Sequence, residues 1–306
     1  MPLHIQTPLI QSSPLSARAD RAIWLKMEAM QPPGSFKIRG IGFACEEYAR
    51  RGAKRFISSS SGNAGIAVAY AGRMFQVPVT VVVPQSASER AKDLILQDGA
   101  EVIVHGTSWV DANSLALSMI GTDDAFIHPF DNPLLWKGHA TLIDEVAASG
   151  PKPDAVVLSV GGGGLLCGVV EGLRRNGWSD VPVIAVETRG ADSLAQSIQE
   201  DRRVELPAIT SIATSLGARQ ISEQTFALVK QHPIESVVVS DRSAVLACLR
   251  FLDDHRVLTE PACGASLAAV YEGSPLLARF ETVLVIVCGG VTATLVRLQE
   301  WSQMLA

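Results

Sequence analysis

The residues best suited to covalent chemistry lie in one short stretch, Gln31 to Gly40, with the sequence QPPGSFKIRG. Two prolines and a glycine interrupt whatever precedes them, so Ser35 is predicted to cap a helix and Lys37 to lie in its first turn. Because a cation there faces the positive end of the helix dipole, its pKa is expected to be lowered. Such an amine is a usable nucleophile towards aldehydes. The alternative is an ordinary lysine that reaches solvent from the start of a helix.

A second candidate is a run of four glycines, Gly161 to Gly164, which we call the glycine loop. It lies between an apolar stretch and a helix pattern, where several exposed backbone N–H groups would suit a phosphate dianion. The loop lacks the lysine and hydroxyl of a P-loop, and it lacks GxGxxG spacing followed by an acidic residue for a ribose. Nucleotide binding is therefore the weaker interpretation. The alternative, a plain tight turn, needs only one or two glycines.

Polar residues also crowd SSSSGNAG, Ser58 to Gly65, which we call the serine loop. Its hydroxyls, its N–H groups and the Asn63 amide would converge to form a receptor for a carboxylate, with a phenolic oxygen nearby. Helix capping alone would explain one serine or the asparagine, but not the whole cluster.

A third loop follows in VIVCGGVTAT, where Cys288 is predicted to end a strand and two glycines to open the last helix. Taken alone, such a cysteine is more often a buried structural thiol. No GxSxG or HExxH signature is present, and the six scattered histidines, among them His139 and His255, are interpreted as structural or surface residues. A lysine that can form a Schiff base, a glycine cradle for a phosphate and a polar loop for a carboxylate are together what a pyridoxal phosphate enzyme requires.

These loops must be positioned by a repeating βα pattern with short connections. Strands are predicted at residues 22–28, 56–59, 79–83, 101–105, 155–160, 183–187, 236–239 and 282–287. Helices are predicted from Lys37 and at residues 63–75, 88–97, 107–120, 134–148, 165–175, 191–200, 222–231, 242–254, 261–271 and up to about 305, with a functional loop at 207–220. Two βα runs that join at residues 130–134 predict two α/β lobes, with ligands bound between them at the carboxyl ends of the strands.

Composition excludes several classes of function. The net charge is −5 with no basic block and few aromatic residues, so nothing supports nucleic-acid binding. Five cysteines without metal-type spacing favour a reducing compartment. The first residues show no secretion signal, and no apolar run is long enough to span a membrane. We therefore predict a cytoplasmic protein with no nucleic-acid or membrane partner.

Several segments resemble those of the fold type II pyridoxal phosphate enzymes, closest to the L-serine dehydratase (serine ammonia-lyase) and L-threonine dehydratase group. They are LKMEAMQPPGSFKIRG, SSSSGNAGIAVAYA, VPVTVVVP, SVGGGGLLCGVVEGL, VPVIAVET, TEPACGASLAAVY and VIVCGG. The resemblance implies an α/β fold like that of the tryptophan synthase β chain, with two three-layer αβα lobes and mostly parallel twisted sheets. It implies a large cofactor-binding domain of residues 1–37 plus 133–306 and a smaller domain of residues 38–132.

The resemblance also implies a role for each matching residue. Lys37 would hold pyridoxal 5'-phosphate as a Schiff base and act as the base at the substrate Cα. Phe36 and Ser215 would lie near opposite faces of the cofactor ring, Asn63 would bind the ring 3'-oxygen, and Cys288 would meet the pyridine nitrogen. The cofactor phosphate would be bound by Gly161, Gly162, Gly163, Gly164 and Leu165. The substrate carboxylate would be bound by Ser60, Ser61, Gly62, Asn63 and Ala64. A monovalent cation, potassium, would be bound by Glu187 and by backbone oxygens of Gly161, Ala191, Leu216 and Ala218.

The activity that this resemblance implies is deamination of L-serine to pyruvate and ammonia and, less readily, of L-threonine to 2-oxobutanoate, by a homodimer. Because a thiol is a weak donor, the ring nitrogen opposite Cys288 would stay largely unprotonated, which favours elimination. We expect the cofactor phosphate to protonate the leaving hydroxide, and we expect no isoleucine-sensing domain. The alternatives are β-replacement, racemisation and a non-catalytic cofactor carrier. Three departures from the family pattern bear on substrate preference: Ser61, Ser215 and the residues after the glycines in CGGVTAT.

Overall fold

A computed structural model describes residues 1–306 as two sheets with twelve α-helices. The larger sheet has the strand order β1-β2-β10-β7-β8-β9, and the smaller has the order β5-β4-β3-β6. The strands are β1 (Leu9–Gln11), β2 (Ala22–Lys26), β3 (Arg55–Ser58), β4 (Val79–Val83), β5 (Glu101–Val104), β6 (Asp124–Phe126), β7 (Ala155–Ser159), β8 (Val183–Thr188), β9 (Ile234–Val239) and β10 (Thr282–Ile286).

All strand pairs are parallel except β1 with β2. The helices are α1 (Ser13–Ala19), α2 (Lys37–Arg50), α3 (Asn63–Phe75), α4 (Glu89–Gln97), α5 (Trp109–Ser118), α6 (Pro133–Ser149), α7 (Gly164–Arg175), α8 (Ser193–Gln199), α9 (Glu223–Val229), α10 (Asp241–His255), α11 (Pro261–Tyr271) and α12 (Leu295–Met304). No helix is long and apolar enough to cross a membrane.

The central strands explain why the larger sheet is parallel. Every residue of β7 and β8 is buried, and both strands are built from Val, Ile, Leu and Ala with few polar residues. Strands of this kind need cover on both faces, which the crossover helices of a βα repeat provide. The cores of the two sheets are separate: 47 buried residues surround the larger sheet, and a cluster of 19 accompanies the smaller one. The predicted two-lobe α/β fold is confirmed, while the domain limits at residues 37, 38, 132 and 133 stay a prediction.

Close contact between α2 and α6 fixes the position of Lys37. A Cβ added at Gly40 would lie 2.5 Å from the Leu135 carbonyl oxygen, and one added at Gly138 would lie 2.3 Å from the Arg39 carbonyl oxygen. Only glycine at these two positions lets the helix backbones approach so closely. The first turn of α2 is thereby held against α6, and Lys37 is the first residue of that turn.

Most predicted elements match the structure within a few residues, and two predictions are wrong. Ser35 does not cap α2: its hydroxyl is buried without a hydrogen-bond partner, and the helix follows Phe36 with no side-chain cap. The glycines after Cys288 do not open the last helix, because α12 begins at Leu295 with Thr294 as its cap. The short elements β1, α1 and β6 were not predicted, since segments this short carry little periodicity.

Candidate active site

Candidate residues of the larger sheet lie at the carboxyl ends of three adjacent strands. Cys288 follows β10, the glycine loop follows β7, and Glu187 is the second-last residue of β8. The serine loop follows β3 of the smaller sheet and leads into α3. Open α/β sheets bind ligands at this end of their strands, so this is where a site is expected.

Lys37 lies at this point with its amine partly buried. Its Nζ donates to the carbonyl oxygen of Pro129 at 2.7 Å and lies 5.2 Å from the centre of the Phe36 ring. Burial lowers the pKa of the Lys37 amine from 10.5 to about 8, while Cys288 and Glu260 oppose that shift. A minor but usable fraction of the amine, about a tenth at pH 7, is therefore uncharged, as a nucleophile or a proton acceptor must be. Solvent exposure, the alternative interpretation of this lysine, is wrong.

The glycine loop presents a row of free donors. The backbone N–H groups of Gly161 to Leu165 form no hydrogen bond to any protein acceptor, although this stretch is almost entirely buried. The last two belong to the first turn of α7, where the helix dipole adds positive potential. Buried N–H groups without partners are rare in proteins. Five in succession at a helix N-terminus fit the oxygens of a phosphate.

Glycine is required in this loop for two reasons: a side chain would clash with neighbouring protein atoms, and a ligand needs the space. A Cβ at Gly162 would lie 2.3 Å from the Phe130 ring, and one at Gly163 would lie 1.8 Å from the Thr225 hydroxyl. Gly163 also has a φ of +94°, which only glycine adopts without strain. Phe130 and Thr225 therefore hold the loop in the shape that leaves its N–H groups free.

Phe36 and Ser215 reach the site from different elements. The Phe36 ring lies beside Lys37 and packs against His139, with ring centres 4.9 Å apart. Ser215 belongs to the predicted functional loop at residues 207–220, and its hydroxyl accepts a hydrogen bond from Asn63 Nδ2 at 3.5 Å. Both residues thus lie near Lys37 or Asn63, and their positions on opposite faces of a cofactor ring stay a prediction.

The serine loop surrounds the start of α3. Gly62 precedes the helix, Asn63 and Ala64 occupy its first turn, and Ser60 and Ser61 are half-buried before it. Apart from the N–H of Gly62, which donates to the Ser60 hydroxyl at 3.3 Å, the backbone N–H groups of these five residues form no hydrogen bond with the protein. This arrangement of N–H groups and hydroxyls at a helix N-terminus is a receptor for a carboxylate.

Cys288 is buried, and Cys263 on α11 is a neighbouring titratable group. Cys263 and the burial raise the pKa of Cys288 well above its ordinary value, so the thiol keeps its proton. A protonated thiol is a weak donor, as the predicted role opposite a pyridine nitrogen requires. All five cysteines of the chain are free and buried.

The residues predicted for a cation lie on neighbouring segments, and their joint role stays a prediction. Glu187 is fully buried, forms no ion pair, and accepts hydrogen bonds from the backbone N–H groups of Leu194 and Ala195, each at 2.8 Å. Burial raises its pKa to about 8, and those two hydrogen bonds oppose the rise. Leu216 lies against Gly161, and the carbonyl oxygen of Ala218 accepts from the Ser193 hydroxyl at 3.1 Å. A buried carboxylate without a cationic partner is costly, and a bound cation would relieve that cost.

Two residues at the site were not predicted. Glu260 is buried beside Asn63, and its Oε1 accepts from Asn63 Nδ2 at 2.7 Å. His128, interpreted above as structural or surface, has a pKa lowered to about 4 by burial and by Lys37. Its Nδ1 accepts from the N–H groups of Phe130 and Asp131, so the ring is held next to the Pro129 carbonyl that binds Lys37. In the sequence, Glu260 is marked only as a charged residue directly before the segment that forms α11. All eleven residues of that helix are buried.

Comparison with known proteins places this geometry in a family. The profile of a family described as pyridoxal-phosphate dependent enzymes matches residues 1–289. A mouse protein named L-serine dehydratase/L-threonine deaminase is 46% identical over 308 residues, covering 97% of this chain and 94% of the relative.

Two solved structures extend the comparison. A fungal L-serine ammonia-lyase from Rhizomucor miehei superimposes with a TM-score of 0.94 at 34% identity, covering 98% of each chain. Maize serine racemase superimposes with a TM-score of 0.89 at 25% identity, covering 99% of this chain and 94% of the other. With a lysine of lowered pKa, a loop of free N–H groups and relatives of this kind, the chain belongs to the fold type II family of pyridoxal-phosphate dependent enzymes, near the serine and threonine dehydratases.

Proposed function

We propose that the chain is a pyridoxal-phosphate-dependent ammonia-lyase that converts L-serine to pyruvate and ammonia and, less readily, L-threonine to 2-oxobutanoate and ammonia. The observation that carries this proposal is the pairing of Lys37, whose pKa is lowered to about 8, with five free N–H groups from Gly161 to Leu165. The similarity to a dehydratase along nearly the whole chain supports the choice of substrates.

The residues present fit the cofactor. Gly161 to Leu165 would hold its phosphate, Asn63 its ring oxygen, and Cys288 its ring nitrogen, with Phe36 against the ring. When bound, pyridoxal phosphate supplies an electron sink that acidifies the substrate Cα–H bond. Cys288, as a weak donor, would leave the ring nitrogen largely unprotonated, which would favour loss of the substrate β-hydroxyl.

Lys37 would both attach the cofactor and accept the proton from the substrate Cα. Its amine serves because burial keeps a fraction of it uncharged near neutral pH. The serine loop, Ser60 to Ala64, would bind the substrate carboxylate with its free N–H groups and hydroxyls, and thereby aim the Cα–H bond at Lys37. Pro129, whose carbonyl accepts from the Lys37 amine at 2.7 Å, would orient the amine between these steps.

Three further features belong to the proposal. Glu187 with the backbone oxygens of Gly161, Ala191, Leu216 and Ala218 would bind potassium, because the buried carboxylate forms no ion pair. The active form would be a homodimer. The location would be the cytoplasm, in keeping with five free cysteines.

Racemisation of serine is the second candidate. It requires a group that can return a proton to the face opposite Lys37, and the Ser215 hydroxyl, 3.5 Å from Asn63 Nδ2, is available at the site. The similarity to maize serine racemase favours the same alternative. The buried, protonated Cys288 favours elimination instead.

The test measures products from the protein loaded with pyridoxal phosphate. L-serine, L-threonine and their D-isomers are supplied in sodium or potassium buffer, and keto acid and the opposite isomer are measured. We expect keto acid from both L-substrates, faster with potassium. Lys37→Ala is expected to lower turnover at least about 1,000-fold, because base and attachment point are both lost. Lys137→Ala, an exposed lysine on α6, is the matched control and should be unaffected. Cofactor binding without keto acid would overturn the proposal, and D-serine as the main product would support racemisation.

A further inference from the structure

A buried carboxylate, Glu260, lies in the site without a cationic partner. It is 4% exposed and forms no ion pair. Although it directly precedes α11, its side chain does not cap that helix. It turns instead towards the site, where its Oε1 accepts from Asn63 Nδ2 at 2.7 Å and its Oε2 accepts from the Thr292 hydroxyl at 2.7 Å. A carboxylate buried in this way is costly unless its position serves a purpose.

Gly290 leaves the space that the Glu260 side chain occupies. Gly290 has a φ of +119°, and a Cβ added there would lie 2.1 Å from the Glu260 Cδ. Any other residue at 290 would be strained and would displace the Glu260 side chain. The second glycine of the CGG sequence is therefore required by Glu260. Thr292, in the segment that departs from the family pattern, supplies a hydrogen bond to the same carboxylate.

The contact with Glu260 fixes the orientation of the Asn63 amide. Asn63 Oδ1 accepts from the N–H of Val291 at 3.3 Å, and Nδ2 donates one hydrogen to Glu260. The second hydrogen of Nδ2 is directed towards the Ser215 side of the site at 3.5 Å, a long contact that a better acceptor can replace. Without Glu260 the amide loses its shortest hydrogen bond and keeps only the longer contacts with Val291 and Ser215.

Glu260 also faces the amine of Lys37. Its negative charge opposes the fall in the pKa of Lys37, and the other titratable groups facing that amine are Cys288, His128 and His139. Both histidines have lowered pKa values because they are buried. Burial raises the pKa of Glu260 itself, and its hydrogen bonds together with the charge of Lys37 oppose the rise. Cys288 and Cys248 are the further titratable groups beside the carboxylate.

We propose that Glu260 is a positioning residue, which aims the Asn63 amide at the ring oxygen of the bound cofactor and provides the negative charge that faces the Lys37 amine. This inference rests on the proposed function, because it concerns how the same site captures pyridoxal phosphate. The shape of the Glu260 side chain and its charge have separate consequences, so a variant can remove one and keep the other.

The experiment measures capture of pyridoxal phosphate by the cofactor-free protein, followed by the visible absorbance of the bound cofactor as a function of concentration and pH. Glu260→Gln keeps the shape and an acceptor for Asn63, its amide N–H can donate to the Thr292 hydroxyl, and the charge is removed. Glu260→Leu removes the acceptor of Asn63 as well. Thr292→Val, which leaves both the Asn63 contact and the charge, is the matched control. Circular dichroism and thermal unfolding establish that each variant is folded.

The expected results differ among the variants. Glu260→Gln should lower the pH of half-maximal capture by about one unit, since loss of a facing negative charge lowers the pKa of Lys37. Glu260→Leu should shift that pH equally and in addition weaken capture about tenfold, because a hydrogen bond that orients Asn63 is lost. Thr292→Val should change affinity less than about threefold, with no change in the pH profile.

A double-variant cycle tests whether Glu260 affects cofactor capture through Asn63. If Glu260 acts by holding that amide, Glu260→Leu should weaken cofactor capture in the natural chain but not in an Asn63→Ala background. Equal weakening in both backgrounds, or an unchanged pH of half-maximal capture in Glu260→Gln, would overturn the inference. The proposed function fails separately, and visibly, if the natural chain itself captures no cofactor.

Discussion

Lys37 and Arg39 lie in the same turn of α2 but belong to two different groups of buried titratable side chains. The two groups differ in how their charges are paired. Arg39 is fully buried and forms hydrogen bonds to Glu28 and Glu145, and the latter also pairs with Lys26; we call these four residues the charge cluster. Two residues earlier, Lys37 faces Glu260 without pairing, and its amine is bonded only to a carbonyl oxygen.

This contrast separates the buried charges that stabilise the fold from the buried titratable groups that serve the site. In the charge cluster each carboxylate has a cationic partner, and the N-terminal segment is tied in through the Thr7 hydroxyl, which donates to Glu28 at 2.7 Å. In the site, Lys37, Glu187 and Glu260 form no ion pair with a protein side chain. Unpaired buried charges cost stability and are retained where ligands supply the missing partner.

The largest effect should come from breaking the charge cluster. Arg39→Met leaves two buried carboxylates short of a partner, so we expect the free energy of unfolding to fall by about 3–5 kcal/mol. Lys37→Met, at the other group, removes an uncompensated buried amine and should leave stability unchanged or raise it by about 1 kcal/mol. Urea unfolding of the cofactor-free proteins measures both. Equal losses in the two variants would abolish the distinction between structural and functional charges.

The effect expected at Glu187 depends on pH and is spread over several pH units. Because its pKa is raised from 4.5 to about 8 by burial, the folded protein binds more protons than the unfolded chain between these values. In buffer without small cations, stability should therefore decline as the pH rises through that window, by at most about 1.4 kcal/mol per unit. Glu187→Gln should remove this decline.

Potassium provides the control for that prediction. If it binds the ionised carboxylate of Glu187, added potassium should restore the stability of the natural chain at pH 8 and leave Glu187→Gln unaffected. Restoration of both proteins to the same extent would indicate a general salt effect, and Glu187 would then have no assigned ligand.

Parts of this architecture could be predicted from the sequence because they depend on local pattern. The bounds of α3, α11 and β4 follow from periodicity, capping residues and apolar runs, and the structure reproduces them. The glycine loop and the serine loop are recognisable for the same reason, since each is a short segment between a strand and a helix.

The rest depends on contacts between segments far apart in the chain, which periodicity does not report. Glu260 meets Asn63 across 197 positions, and Arg39 meets Glu145 across 106. Ser35 shows the limit of local rules: its position favours a cap, but its backbone pairs with Gly289 and its hydroxyl is left without a partner. Local signals locate loops, whereas the pairing of buried charges requires the tertiary structure.

The smallest expected effect concerns His139, which lies between the two groups of charges. It is fully buried behind Phe36, and neither ring nitrogen has a hydrogen-bond partner. Burial lowers its pKa well below 6.5, so the folded protein holds it neutral and its contribution to stability is lost as the pH falls below 6.5. His139→Leu should remove that acid-dependent loss and, by replacing two unsatisfied nitrogens, raise stability at pH 7 by about 1 kcal/mol.

Unfolding free energies from pH 5 to pH 8 measure this effect at His139. His255 is the matched control: it is also a histidine of lowered pKa, but its Nε2 lies 2.8 Å from the Ser12 hydroxyl. His255→Leu should therefore destabilise the protein at pH 7. If His139→Leu destabilises it equally, the packing of the imidazole against Phe36 outweighs the cost of its two unsatisfied nitrogens, and the prediction is wrong.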